Sequence, residues 1–360
     1  MENSTISDPI GSRVKFYGLT QSQLEELLIG HGKERFRAQQ LFRWVYGLRV
    51  LDVDLMTNIS KKLRSQLPEI FDFSLPQIIK EWMSEDGTKK FLFDMGKGRS
   101  VEAVLIPSKG RLTLCVSTEV GCNMACRFCF TGKQKLIRRL ETWEVVGQFV
   151  QIQDRLYEES RRITNVVFMG MGEPLDNPQA VFDAIEIWHN PWGYNLSLRK
   201  VTVSTSGLIP QIPLVTASGA RLAVSLNAAS DQIRDQIMPI NKKWPLRALL
   251  EACREHARIS KDKVTLEYVL LKGVTDSLED ARRLYELTKD VPCKINIIPF
   301  NEHPNSGFER PSDSRVVAFQ EELMRRGAHV LRRRTMGRDI YAACGQLTTA
   351  NKEQPQLLTT

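Results

Sequence analysis

The tightest constraint on this chain is a short loop, Gly121-Cys122-Asn123-Met124-Ala125-Cys126-Arg127-Phe128-Cys129, with cysteines spaced C-x3-C-x2-C. Thiolates are soft ligands that suit iron–sulfur clusters and zinc. Structural zinc takes four protein ligands, usually as two separated pairs. The loop offers three, and the 5 histidines of the chain show no paired spacing. Three thiolates on a cubane cluster leave one iron open to chelate the amino and carboxylate groups of a small molecule. A zinc loop or a redox dithiol is the alternative reading of the same residues. In every case the fold must hold a tight, irregular loop at the rim of a scaffold.

Composition narrows the scaffold. The chain has 360 residues, 42% hydrophobic and 26% charged, ordinary values for a soluble globular protein. The start, Met1 to Ile10, lacks the apolar core of a secretory signal, and no apolar run approaches the roughly 18 residues of a membrane helix. The expectation is a cytoplasmic protein with no membrane partner. In that setting a cysteine cluster points to metal or chemistry rather than to structural disulfides. The net charge is +8, and basic runs such as Lys61-Lys62, Arg138-Arg139 and Arg332-Arg333-Arg334 favour a polyanionic partner.

Residues 1–75 read as a small helical module. Thr20 with Gln23 forms a capping-box pattern ahead of Leu24, Leu27 and Leu28, and further helices fit Arg35–Tyr46 and Asp54–Leu67. Residues 76–107 read as an antiparallel connector, with a hairpin turning at Ser84-Glu85-Asp86-Gly87 and a third strand at Val101–Ile106. From 108 to 337 strand and helix alternate. Strands are expected near Leu112–Ser117, Asn165–Met169, Lys200–Ser204, Leu222–Leu226, Val264–Leu270 and Lys294–Ile298, with helices between them; Pro210 and Pro213 interrupt the helical pattern at Leu208–Ala217. A helix at Ser312–Gly327 and a strand at His329–Thr335 follow, and residues 338–360 form a C-terminal extension. Six βα units imply an α/β fold with a parallel sheet, curled into an incomplete (βα)6 barrel whose chemistry lies at the C-terminal strand ends.

Small polar groups recur at those ends: Gly170-Met171-Gly172-Glu173-Pro174, Ser204-Thr205-Ser206-Gly207, Ser225-Leu226-Asn227 and Pro299-Phe300-Asn301. Together they ring one mouth. Gly-x-Gly here is no dinucleotide fingerprint, because Leu175 stands where the third glycine belongs.

The cysteine spacing, with Phe128 before the last cysteine, resembles the signature of the radical SAM superfamily. Asp339-Ile340-Tyr341-Ala342-Ala343-Cys344-Gly345-Gln346-Leu347 narrows the resemblance to the RlmN/Cfr family of radical SAM RNA methyltransferases, supported by Phe36-Arg37-Ala38-Gln39-Gln40, Thr113-Leu114-Cys115-Val116-Ser117 and Pro292-Cys293-Lys294-Ile295-Asn296. The longer helical N-terminal module and the last of these segments place it nearer the C2-methylating RlmN branch than the C8-methylating Cfr branch.

That resemblance implies a [4Fe-4S] cluster on Cys122, Cys126 and Cys129, with S-adenosylmethionine (SAM) on the open iron and two SAM per turnover. It assigns Cys344 as the methyl-carrying thiol, Glu102 as proton acceptor and Cys115 as the thiol that closes a transient disulfide with Cys344. Gly172, Glu173, Ser204, Ser225, Leu226, Asn227 and Asn301 carry SAM-binding roles by matched position. The implied partners are 23S rRNA and tRNA, an electron donor such as flavodoxin or ferredoxin, and a thiol reductant. Lys133, Lys135, Arg138 and Arg139 are expected to hold phosphates beside the cluster loop. Cys253 and Cys293 read as small buried hydrophobes. The sequence departs from the family pattern at Asn227, Tyr341 and Phe130, where His, Asp and a small residue are usual. A radical SAM enzyme with a small substrate would need neither Cys344 nor the basic surface, and a non-catalytic cluster-bearing RNA-binding protein would release no 5′-deoxyadenosine.

Overall fold

The computed structural model describes residues 13–304 and 306–348; residues 1–12 of the expected helical module and 349–360 of the expected extension lie outside the described residues. One ten-stranded sheet runs through the molecule. Its strands are β1 (Ile78–Met83), β2 (Lys89–Asp94), β3 (Ser100–Ser108), β4 (Arg111–Cys115), β5 (Asn165–Phe168), β6 (Val201–Thr205), β7 (Arg221–Ser225), β8 (Val264–Leu270), β9 (Cys293–Pro299) and β10 (Val330–Arg332). They lie side by side in chain order. β1 to β4 pair antiparallel, and every pairing from β4 to β10 is parallel. The connector and the barrel are therefore one continuous surface, with β4 as the hinge between the two pairing modes.

The parallel strands carry β-branched and apolar runs because both of their faces are covered. Val166, Val203, Val224, Leu266 and Ile297 are fully buried. The helices that cover them are α4 (Thr142–Glu158), α5 (Pro178–His189), α6 (Ile212–Ser218), α7 (Asp231–Ile237), α8 (Leu246–Ser260), α9 (Leu278–Thr288) and α10 (Asp313–Arg325). In the stretch expected at Leu208–Ala217, Pro210 lies in a 3-10 turn and Pro213 in the first turn of α6, where a missing N–H costs no hydrogen bond.

Before the sheet come three short helices, α1 (Gln21–Gly30), α2 (Phe36–Phe42) and α3 (Lys61–Ile70). The capping box at Thr20 is present. The helix expected at Asp54–Leu67 starts only at Lys61, where the Ser60 side chain accepts from Leu63 N, and it continues through Pro68 to Ile70. The helix expected at Arg35–Tyr46 widens into a π turn at Arg43–Gly47. There a Cβ on Gly47 would meet Trp192 O at 2.6 Å, so the wide turn seats a residue without side chain against the barrel. Aromatic rings tie the module to the barrel: Phe42 to Tyr46 at 4.5 Å, Tyr46 to Tyr194 at 5.9 Å and Tyr194 to Phe149 at 4.7 Å between centroids. No described helix is long and apolar enough to cross a membrane.

Candidate active site

A cavity open to solvent lies at the C-terminal ends of the parallel strands. Met169 and Gly170 enter it after β5, Ser204 and Thr205 from β6, Ser225 from β7, Glu267 and Val269 from β8 and Ile298 from β9. Cys122, Cys126 and Cys129 line one side, and Cys344 with Gly345 closes over it.

The cysteine loop is bent by its own backbone. Gly121 has φ +84, and a Cβ there would collide with the Lys135 carbonyl. Ala125 is held at φ 52, a left-handed conformation that costs a non-glycine residue energy. Cys122 N donates to Gln134 O, Cys129 N to Cys126 O and Arg127 N to Ile237 O. Burial pushes all three thiols above their ordinary range, and each raises or is raised by the charge of a neighbour in the set. Among the described residues no three His, Cys, Asp or Glu converge closely enough to hold a single metal ion. The three thiols line one common cavity. As soft ligands they fit an iron–sulfur cluster, whose iron would replace the protons that burial otherwise keeps on sulfur.

Of the residues matched to SAM binding, Gly172, Glu173, Ser204, Ser225, Asn227 and Asn301 line the cavity. Leu226 does not. It is fully buried, its N donates to Glu267 O and its carbonyl accepts from Arg234. Gly172 has φ +101, and a Cβ would sit 2.7 Å from Glu119 Cβ. Glu173 accepts from Ser206 N at 2.8 Å and Leu175 N at 3.2 Å, and burial holds its carboxyl above the usual range. Asn227 is left-handed at φ 57, which asparagine tolerates better than most residues, and its Oδ1 accepts from Val269 N at 3.0 Å. Its side chain bridges β7 to β8.

The Cys344 loop is fixed from three sides. Asn301 Nδ2 donates to Cys344 O at 3.1 Å, Phe130 N to Gly345 O at 2.7 Å and Thr131 Oγ1 to Leu347 O at 2.7 Å. The β1–β2 turn holds the loop's start: Ser84 Oγ donates to Asp339 Oδ1 at 2.5 Å and Gly337 N to Asp86 Oδ2 at 2.8 Å. Glu102, on β3, accepts from Thr348 N at 3.0 Å and meets Lys90 Nζ at 3.0 Å, with both side chains essentially sealed from water. Burial raises the Glu102 carboxyl, opposed by Lys90. Neither Glu102 nor Cys115 lines the cavity, whereas Cys344 does. All seven cysteines are free thiols. Burial, then the Cys344 charge, pushes Cys115 up to about 12.

Phe130, a departure from the family pattern, stacks on His303 at 4.9 Å and 7° between planes, while His303 Nε2 lies 3.1 Å from Phe128 O. The expected phosphate cluster is divided. Arg138 is committed to Glu144, with two contacts of 2.6 Å, and Arg139 pairs with Asp176 at 2.9 Å. Lys133 and Lys135 are exposed.

Three charged residues were not singled out from the sequence. Arg333 contacts Glu267 Oε1 at 3.0 Å, Glu267 Oε2 accepts from Ser204 Oγ at 3.2 Å, and Arg234 is fully buried under the strand ends. Arg234 donates to Leu226 O, Ser206 O, Ser225 O and Asn241 Oδ1. For Glu267 the available signal is an acid inside an otherwise apolar strand, since such groups are buried only when paired; Arg234, in a polar run, and Arg333, in a basic triplet, carry none.

Residues 116–285 match the radical SAM superfamily, and residues 14–73 match the ribosomal RNA large subunit methyltransferase N-terminal domain. The chain is 62% identical over 357 residues to dual-specificity RNA methyltransferase RlmN of Bdellovibrio bacteriovorus, covering 99% of this chain and 89% of that one. It is 44% identical over 360 residues to the protein of the same name from Dinoroseobacter shibae, covering 96% and 91%. Among solved structures, a radical SAM methyltransferase from Sphaerobacter thermophilus superposes with a TM-score of 0.86 at 40% identity, covering 93% of this chain and 99% of that one.

Proposed function

The chain belongs to the RlmN family of radical SAM RNA methyltransferases, and on that premise we propose that it methylates C2 of an adenosine in 23S rRNA, and of the adenosine beside the anticodon in tRNA, through an S-methyl group on Cys344. The observation that carries this reading is Cys344 itself: a thiol in a pinned loop, facing the same cavity as the three cluster cysteines and the SAM-matched strand ends. C2 of adenine has no lone pair to attack a methyl donor, so a protein sulfur must carry the methyl first.

Cys122, Cys126 and Cys129 would hold a [4Fe-4S] cluster, which with SAM supplies a 5′-deoxyadenosyl radical when bound, two SAM being consumed per turnover. The residues of the chain do the rest. Glu173 and Asn301 orient the donor at the strand ends. Cys344 Sγ accepts the methyl group as a thiolate. The cavity walls are apolar at Phe128, Val269, Ile298 and Phe300 beside the polar strand ends. Glu102 receives the C2 proton at a carboxylate oxygen. Its raised proton affinity suits that role, and its bond to Thr348 N couples it to the Cys344 loop. Cys115 Sγ, as a thiolate, then bonds to Cys344 Sγ as the bond from Cys344 Sγ to the transferred carbon breaks; that carbon keeps the electron pair and takes a proton, which frees the methylated RNA, and an external thiol reduces the disulfide. A low-potential donor such as flavodoxin or ferredoxin supplies the electron. The N-terminal helices dock the RNA, and exposed Lys133 and Lys135 hold its phosphates near the mouth.

The test is anaerobic turnover of cluster-bearing protein on unmodified rRNA and tRNA, with nucleosides read by mass spectrometry against 2-methyl- and 8-methyladenosine standards. 2-Methyladenosine supports the proposal. 8-Methyladenosine, or none with 5′-deoxyadenosine still released, overturns it.

A further inference from the structure

Helix α7 is short, yet it touches both halves of the site. Ser230 caps it, accepting from Ile233 N. From its middle, Arg234 turns under the strand ends and is fully buried. Its Nε donates to Leu226 O at 2.9 Å and its Nη1 to Asn241 Oδ1 at 2.9 Å. Its Nη2 donates to Ser206 O at 2.7 Å and to Ser225 O at 3.1 Å. All four acceptors are neutral oxygens, and burying a cation against neutral groups is costly. What a guanidinium adds is span, because its rigid planar fork holds several acceptors at fixed separation. Here the fork joins the end of β6 to the end of β7. Asn241 steadies the Nη1 arm, and its own Nδ2 donates to Asp231 Oδ1 at 2.9 Å and Asp235 Oδ1 at 2.7 Å.

Those strand ends carry the next layer. Ser206 N donates to Glu173 Oε2 at 2.8 Å, so one residue ties the guanidinium to the Glu173 carboxylate. Ser206, Ser225 and Glu173 line the cavity, whereas Arg234 stands behind them. At the end of α7, Ile237 O accepts from Arg127 N at 2.9 Å, between Cys126 and Cys129. Cys126 and Phe128 also pack on the apolar group that includes Ile237 and Met238.

We propose that Arg234 is the positioning residue of the SAM site: it sets the ends of β6 and β7 against Glu173, in register with the cysteine loop that its own helix holds. This rests on the reading of those strand ends as the SAM site. Helix α7 thereby fixes the donor pocket and the cluster loop as one unit, and Arg234 acts through Ser206, Ser225 and Leu226 without touching the donor.

The test measures SAM binding by equilibrium dialysis on anaerobic, cluster-bearing protein without reductant, so the sulfonium is not cleaved. Every protein compared carries Cys344→Ala, which removes the methyl acceptor. The isotherm gives a Kd and a number of sites per chain. A merely structural role lowers the number of sites and leaves the Kd of the folded chains unchanged. Arg234→Lys keeps the charge but has no fork to span both strands. It should raise the Kd about tenfold, the order seen when the hydrogen bonds behind a metal site's ligands are removed. Asn241→Ala releases Nη1 and leaves the three strand-end bonds in place. It should raise the Kd by a smaller factor, and it serves where Arg234→Lys does not fold. An unchanged Kd in Arg234→Lys, or in Asn241→Ala where that is the folded variant, while Glu173→Gln raises it, overturns the inference. An unchanged Kd in Glu173→Gln overturns the reading of the strand ends as the SAM site instead.

Discussion

Replacing Lys90 by Met should expose how much of the site's stability rests on one buried ion pair. Lys90 and Glu102 meet at 3.0 Å with side chains 2% and 0% exposed. Met fills the same volume but leaves the Glu102 carboxylate with Thr348 N as its one remaining partner among the described residues. Breaking a buried pair from one side costs about 3–5 kcal/mol, because the surviving charge has lost its counter-ion and cannot reach water. The cost should depend on pH. Burial already raises the Glu102 carboxyl in the folded protein and Lys90 pulls it back, so the substitution raises it further. Below the ordinary carboxylate value the group is protonated in folded and unfolded chains alike and the deficit is small. As pH rises above that value the unfolded chain releases the proton while the folded one holds it, so the deficit grows toward neutrality. Urea unfolding followed by tryptophan fluorescence, with Trp82 stacked 4.7 Å from Lys90 Nζ, reads both effects. Adding Glu102→Gln should restore more than half the loss. A deficit under about 1 kcal/mol at pH 8, or one that does not change between pH 5 and 8, would refute the reasoning.

Three further outcomes follow from the same structure. Gly121→Ala should lower iron content per chain while leaving the secondary structure seen by circular dichroism unchanged, because its φ of +84 and the Lys135 carbonyl deform only the cysteine loop. Arg234→Met should destabilise the barrel by about 3–5 kcal/mol in chemical denaturation, since it strands Asn241 Oδ1 and three carbonyls under the strand ends. Glu119 is held at about 8, first by burial and then by its carboxylate neighbours, so its folded form keeps a proton the unfolded chain releases. Stability should therefore fall as pH rises from the ordinary carboxylate value toward 8, and Glu119→Gln should flatten that slope in thermal midpoints taken across the range.

The strands were legible because parallel strands buried on both faces leave continuous apolar runs; Val264–Leu270 is the same in sequence and structure. The cysteine loop was legible because its spacing is local. What local pattern could not show was direction across space. Arg333 sits in a basic triplet that reads as surface until β10 takes its place beside β9 and turns the middle side chain inward. Arg138 reads as a phosphate contact until Glu144, the residue that also caps α4, claims it. Glu267 interrupts an apolar strand, a signal that a buried partner exists but not which one, whereas Arg234 sits among Asp231, Gln232, Asp235 and Gln236 and gives no such signal. The helix expected at Asp54–Leu67 lost about its first two turns because capping by Ser60 outweighed the apolar spacing before it.

The most direct test of the account uses SAM bearing a fully deuterated methyl group, unmodified RNA and reductant. Transfer through Cys344 requires a hydrogen to be taken from the S-methyl group before carbon–carbon bond formation. The account predicts 2-methyladenosine that has lost one methyl deuterium, and none from Cys344→Ala. A product retaining all its methyl deuterium, or formed undiminished by Cys344→Ala, would contradict it.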